Sequence, residues 1–371
     1  MVRADAEAGR LERVTREARA QLAAWRRHHP TATLQEIEAA VDERLQAIRA
    51  GLLGELLPRG DRLLASARRP GPGSGAATRG DRPVVAGAAD TPFEVRRGVE
   101  YAHHDGVALL GDLYLPAREG SFPAVMLLHG GGWKHGSRAS YGRWGEYLAQ
   151  QGYVAFSINY RLASRERSSY PRDVYDVKAS VQYLRGHGPA LRVDPDRIAV
   201  MGSSAGGHLA ALVALSGDSP KYASPYPDGP FSTASTRVRV AVPVCGVFDL
   251  LRQWEYDQAI RPLDHMTEIY LGGSPMLIRD TYYEASPINW ATVQNQGPAF
   301  LVVWGTEDDV VDPREQSGAF VTALKRANIE VRALPVHGAA HFWIAETPVL
   351  EPGSFTAVLA PSLLRFLAQH L

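Results

Sequence analysis

The sequence holds a single cysteine, Cys245, in 371 residues. No disulfide can form within the chain, and a paired-cysteine metal site is excluded. The apolar run around it reads as a strand with a buried, inert thiol. Net charge is also missing, because 40 Lys and Arg balance 40 Asp and Glu. That leaves no global field to attract nucleic acid or an anionic membrane. No apolar run approaches the length of about 18 residues that a membrane-spanning helix needs. The first residues, Met1 to Glu7, carry no apolar secretion core, so a cytoplasmic location is expected. Gly130-Gly131-Gly132 does not extend into a dinucleotide fingerprint, and neither a phosphate loop nor a metal motif is present. The expectation is therefore no metal, no cofactor, no nucleic-acid partner and no membrane partner.

What is present is a pair of glycine-framed motifs, each after an apolar run that reads as a buried strand. His129-Gly130-Gly131-Gly132-Trp133 follows Ala124–Leu128, and Gly202-Ser203-Ser204-Ala205-Gly206 follows Arg197–Met201. In G-x-S-x-G the serine sits on a sharp strand-to-helix turn with its hydroxyl above the sheet. Ser204 is thus the candidate nucleophile, and a helix from about Ala205 to Ser216 points its N-terminal N–H groups at the reacting centre. The glycine loop supplies further donors. The N–H groups of Gly131, Gly132 and Ala205 form a candidate oxyanion hole, commonly the largest single contribution to acyl-transfer catalysis. His129 reads as a loop-holding histidine.

A nucleophilic serine needs a base, and the base needs an orienting acid. With the elbow motif the chain order is Ser, then Asp or Glu, then His. The apolar run Ala299–Trp304 leads into Gly305-Thr306-Glu307-Asp308-Asp309, and Val331–Val336 leads into His337-Gly338-Ala339-Ala340-His341. Asp308 is the candidate acid and His341 the candidate base. Asp249 and His337 are the runners-up, and Asp312 reads as the N-cap of a helix opening at Pro313. Trp133, Phe342 and Trp343 flank these loops and are expected to line the substrate pocket. His208, one turn beyond Ser204, reads as a packed histidine.

These stretches resemble the α/β-hydrolase fold, within the bacterial esterase and lipase branch that has an HGGxW-type oxyanion loop. That branch includes hormone-sensitive-lipase-like carboxylesterases, feruloyl and acetyl-xylan esterase-like proteins and kynurenine formamidases. Asn159-Tyr160-Arg161-Leu162-Ala163, Asp194–Val200, Ser204–Leu209 and Gly305–Asp308 with Val310-Val311 also resemble the branch. The last favours Asp308 over its neighbours. The lipase-like members usually carry Asp before the nucleophile. Ser203 stands there in this chain, which fits the feruloyl and acetyl-esterase-like group better. The resemblance implies a serine carboxylesterase whose partner is a small-molecule ester. A formamidase on the same three residues, or a non-catalytic scaffold driven by the N-terminal helices, is the alternative.

The expected fold class is α/β, a doubly wound and mostly parallel sheet with an N-terminal helical hairpin appendage. Residues 1–68 read as that appendage. Thr33-Leu34-Gln35-Glu36 is a capping-box pattern, and apolar residues from Leu34 to Leu56 recur at helical spacing. Homo-oligomerisation through these helices is one expected role. Residues 69–92, rich in Pro and Gly, read as a linker, and 93–371 as the catalytic domain. A hairpin is expected over Phe93–Leu115, helices near Tyr141–Gln151, Asp173–Gly186, Pro313–Ala327 and Pro361–His370, and a small helical cap over 251–289.

Overall fold

The structure is a computed structural model that describes residues 24, 25, 27–29, 92–223, 225, 226, 229, 231–345 and 349–371. The chain divides into two units, Met1–Gly87 and Ala88–Leu371. Of the expected helical hairpin only Ala24, Trp25, Arg27, His28 and His29 are described, the first four helical; the rest of it, the capping box and residues 69–91 of the expected linker lie outside the described residues.

In the second unit, Phe93–His104 (β1) and Val107–Pro116 (β2) form the expected hairpin. Helices then alternate with short strands: Phe122–Leu128 (β3), Val154–Ile158 (β4), Val193–Ser203 (β5), Val240–Val244 (β6), Ala299–Gly305 (β7) and Val331–Val336 (β8). The eight strands form one sheet in the order β1-β2-β4-β3-β5-β6-β7-β8, antiparallel at β1, β2 and β4 and parallel from β4 onward. Every residue of β4 and β6 is buried, as are all but one each of β3 and β7. Strands covered on both faces require such continuous apolar runs. The chain leaves β3 for β4 on one side and returns to β5 on the other. The carboxyl ends of β3 and β5 at that switch are where open α/β sheets bind ligands.

The covering helices are Gly142–Gln150 (α1), Arg172–Gly186 (α2), the short Gly188–Leu191 (α3), Ala205–Ser216 (α4), Ala319–Arg326 (α8) and Phe355–His370 (α9). Between β6 and β7 lie Leu250–Ile260 (α5), Met266–Leu271 (α6) and Arg279–Ala285 (α7), in the segment expected to form a cap. Two helix starts differ from expectation. The Pro313 segment opens as a π-helical turn, Arg314–Gly318, with Asp312 accepting from the N–H groups of Arg314 and Glu315 before α8 begins. The last helix starts at Phe355 rather than Pro361, with Ser354 accepting from Ala357 N–H. Pro361 lies inside α9, where it forgoes one backbone bond. Burial of Leu359, Leu363, Phe366 and Leu367 outweighs that loss. Among the described residues, no helix is long and apolar enough to cross a membrane.

Asn159–Ala163, beyond β4, ties together the glycine loop, α2 and the hairpin turn. The guanidinium of Arg161 is buried and grips Asp176 of α2, with contacts of 2.7–3.1 Å, and Asp105 of the hairpin turn at 2.5 Å. His104 approaches the same Asp176 carboxylate at 3.1 Å. Tyr160 donates its hydroxyl to the carbonyl of His129 at 2.7 Å. Removing one partner of a buried ion pair strands the other charge. Arg161→Met is therefore expected to lower unfolding free energy by about 3–5 kcal/mol, measurable by urea denaturation.

Candidate active site

Ser204 sits between β5 and α4 with φ 53° and ψ −120°, a conformation side-chain-bearing residues rarely adopt. Its N–H donates to Val244 O at 2.9 Å, tying the turn to β6. Gly206 must lack a side chain, because a Cβ there would lie 2.2 Å from Leu128 O and 2.5 Å from His129 O. The serine turn and the glycine loop after β3 thus touch through bare backbone.

Within that loop Gly131 takes φ +113°, which an L-side chain resists. His129 is fully buried, stacked 4.3 Å from Tyr160, and its Nδ1–H donates to Gly130 O at 2.8 Å. Burial lowers its pKa to about 4, so it is neutral and serves to hold the loop. Among the described residues, no protein acceptor takes the N–H groups of Gly131, Gly132 or Ala205. Donors left open at the strand ends can receive an anionic oxygen.

Two further loops bring in the acid and the base. Asp308 follows β7, and its Oδ1 accepts from the N–H groups of Val310 and Val311 at 3.0 and 2.9 Å. Those bonds turn Oδ2 toward the loop after β8, where it meets His341 Nδ1 at 2.8 Å. The Nε2 atom of His341 lies 2.9 Å from Ser204 Oγ. Both side chains of the carboxylate–imidazole pair are buried. With Nδ1–H donating to Asp308, Nε2 presents its lone pair to the serine hydroxyl, the arrangement of a base held in one tautomer.

The other candidates have different roles. Asp249 caps α5 through the N–H of Arg252 at 3.0 Å, and His337 is exposed to solvent. Trp133 and Trp343, expected to line the pocket, are both buried. They are only 1% and 2% exposed in this structure. Trp343 belongs to the buried core that includes Trp144 and Phe366, while Trp133 stacks on Tyr270 of α6. Phe342 keeps partial exposure and stands edge-on to His341, with ring centroids 4.8 Å apart. His208 is fully buried.

Cys245 is the neighbour that sequence reasoning placed in a strand without linking it to the site. It follows β6 with φ 48°, and its sulfur lies with ligand atoms of Asp308 and His341, all within 4.8 Å of one another. A cation there would need a thiolate. Burial first, and then the Asp308 carboxylate, push the Cys245 pKa well up, so the thiol stays protonated. The Asp308 and His341 atoms are moreover engaged with each other. The native chain is expected to resist aromatic disulfide reagents and to react with one equivalent once denatured, as a thiol titration with and without guanidinium would measure.

Fold and site together define an α/β hydrolase. The chain belongs to the BD-FAE family, whose model matches residues 111–324. It is similar to esterase LipC of Mycobacterium tuberculosis, with 34% identity over 59% of this chain and 52% of that protein. Similarity to the probable carboxylic ester hydrolase LipM of the same organism is 31% over 67% of this chain and 58% of that protein. The chain thus spans about half the length of these curated relatives. Among solved structures, esterase 2 of Thermogutta terrifontis phosphoramylated by tabun matches with TM-score 0.60 and 26% identity, over 77% of this chain and 97% of that one.

Proposed function

We propose that this chain is a serine carboxylic ester hydrolase acting on small to medium esters. The observation that carries the reading is the continuous hydrogen-bonded line from Asp308 through His341 to the Oγ of the strained Ser204. Ser204 Oγ attacks the ester carbonyl while His341 Nε2 takes its proton. Asp308 fixes the imidazole tautomer and stabilises the imidazolium. The carbonyl oxygen, now anionic, accepts from the N–H groups of Gly131, Gly132 and Ala205. His341 then returns the proton to the departing alcohol, leaving an acyl group on Ser204. Water, deprotonated by His341, attacks that acyl group, and the acid leaves as Oγ regains its proton. Every proton in this cycle is carried by His341, so the path needs no cofactor.

Short acyl chains are the proposed preference. The Trp133 indole is buried against Tyr270 of α6, and solved forms of the Thermogutta terrifontis esterase are propionate-bound and butyrate-bound. The test is hydrolysis of 4-nitrophenyl esters from acetate to palmitate, beside a formyl amide. The reading expects kcat/KM to peak at acetate to butyrate. A peak at long chains overturns the size preference. Turnover of the formyl amide alone overturns the ester assignment.

A further inference from the structure

Trp133 is buried in the loop that carries Gly131 and Gly132, and its backbone takes φ 59°. A non-glycine residue holds that conformation only where its surroundings over-determine it. Three contacts do so. The carbonyl of Trp133 accepts from Ala163 N–H at 2.8 Å. The indole stacks on Tyr270 of α6, with centroids 4.3 Å apart and planes 10° from parallel. The indole Nε1–H points to Nδ1 of His208 at 3.2 Å.

His208 lies one turn beyond Ser204 on α4, and its own N–H donates to Ser204 O at 2.9 Å. Across its ring, Nε2 meets the carbonyl of Ala285, at the end of α7, at 2.8 Å. A neutral imidazole offers one donor and one acceptor. The carbonyl of Ala285 can only accept and the indole N–H can only donate, so both ring nitrogens are assigned. Nε2 carries the proton and Nδ1 the lone pair. Burial keeps the ring neutral, with its pKa lowered to about 4.

We infer that His208 is a positioning residue of the site, a rivet that fixes the oxyanion loop to the serine helix and to the cap through the Trp133 indole. The inference rests on the esterase reading of the same site. A buried histidine in contact with no reacting atom would otherwise have only a packing role. Here it joins the three segments whose relative placement sets the distance from the Gly131 and Gly132 donors to the oxygen over Ser204. The cap thereby acts on the chemistry from behind the loop, with Tyr270 pressing on the indole face and Ala285 anchoring the imidazole.

The test uses the full chain with His208→Leu, His208→Asn, Trp133→Phe and the double variant His208→Leu/Trp133→Phe. Each is titrated with diethyl 4-nitrophenyl phosphate to count intact nucleophiles. Then kcat and KM are measured on 4-nitrophenyl acetate. Titration per active site separates misfolded protein from slow protein. His208→Leu and Trp133→Phe are expected to lose about 10- to 100-fold in kcat per titrated site, since small misplacements near the chemistry cost that much. KM should change less than about threefold, as for an interaction that matters mainly in the transition state. The double variant should lose no more than the worse single one, because both remove the same bond. His208→Asn, whose amide oxygen can stand in for Nδ1, should recover most of the loss. Titrated sites that turn over within twofold of wild type, losses that multiply in the double variant, or an Asn variant as slow as Leu would overturn the inference. A wild type that neither hydrolyses nor takes up the phosphate overturns the esterase reading as well, and the wild-type control alone reveals that.

Discussion

Ser204→Ala is expected to slow ester hydrolysis by about 10⁵- to 10⁶-fold in kcat while leaving the fold intact. Among the described residues, the Ser204 hydroxyl is the serine oxygen placed 2.9 Å from the His341 Nε2 lone pair. Ser203, its neighbour in sequence, ends β5, is buried and is paired in register with Val244 of β6. It therefore cannot substitute as nucleophile. Alanine needs no more room than serine, and the Ser204 N–H to Val244 O bond is kept, so unfolding by circular dichroism should match wild type within about 0.5 kcal/mol. Residual turnover would come from open N–H donors that still polarise a carbonyl for attack by water.

The second large effect is expected from Asp308→Asn, a loss of about 10⁴-fold in kcat. An amide nitrogen in place of Oδ2 would face the His341 Nδ1–H, donor against donor. The imidazole would then rotate or change tautomer and withdraw the lone pair from Ser204. Oδ1 would remain, still accepting from Val310 and Val311, so the loop should keep its shape. The parallel substitution Asp249→Asn is expected to alter kcat by less than about twofold, since that side chain caps a helix and Asn caps as well as Asp. Steady-state kinetics of the two variants side by side decide between the two acids.

The strands were legible because a parallel sheet covered on both faces leaves uninterrupted apolar runs, as in Ala124–Leu128 and Ala299–Trp304. The serine turn was legible because close backbone contact at Gly206 tolerates almost nothing but glycine. The choice among Glu307, Asp308 and Asp309 was less so. Three adjacent acids share one local pattern, and the N–H groups of Val310 and Val311 orient Asp308 toward His341. The fates of Trp133 and Trp343 were not legible. Whether an aromatic beside a catalytic loop faces substrate or core depends on partners remote in sequence: Tyr270 and His208 for the first, the core that includes Trp144 for the second. The same holds for Cys245, whose nearness to Asp308 and His341 arises from adjacent strand ends. At Pro361 a true local rule misled. Proline favours a first helical turn, but the core-facing stripe of α9 starts a turn and a half earlier.

A covalent acyl intermediate on Ser204 is probed by peptide mass spectrometry after reaction with diethyl 4-nitrophenyl phosphate. That reagent transfers a phosphoryl group to an activated serine, and the phosphoserine ester does not turn over readily, so it stands in for the acyl-enzyme. The expected result is one diethylphosphoryl group per chain, on Ser204, with ester hydrolysis lost in proportion. A chain left unmodified, or modified at another residue while hydrolysis persists, would rule out Ser204 as the nucleophile.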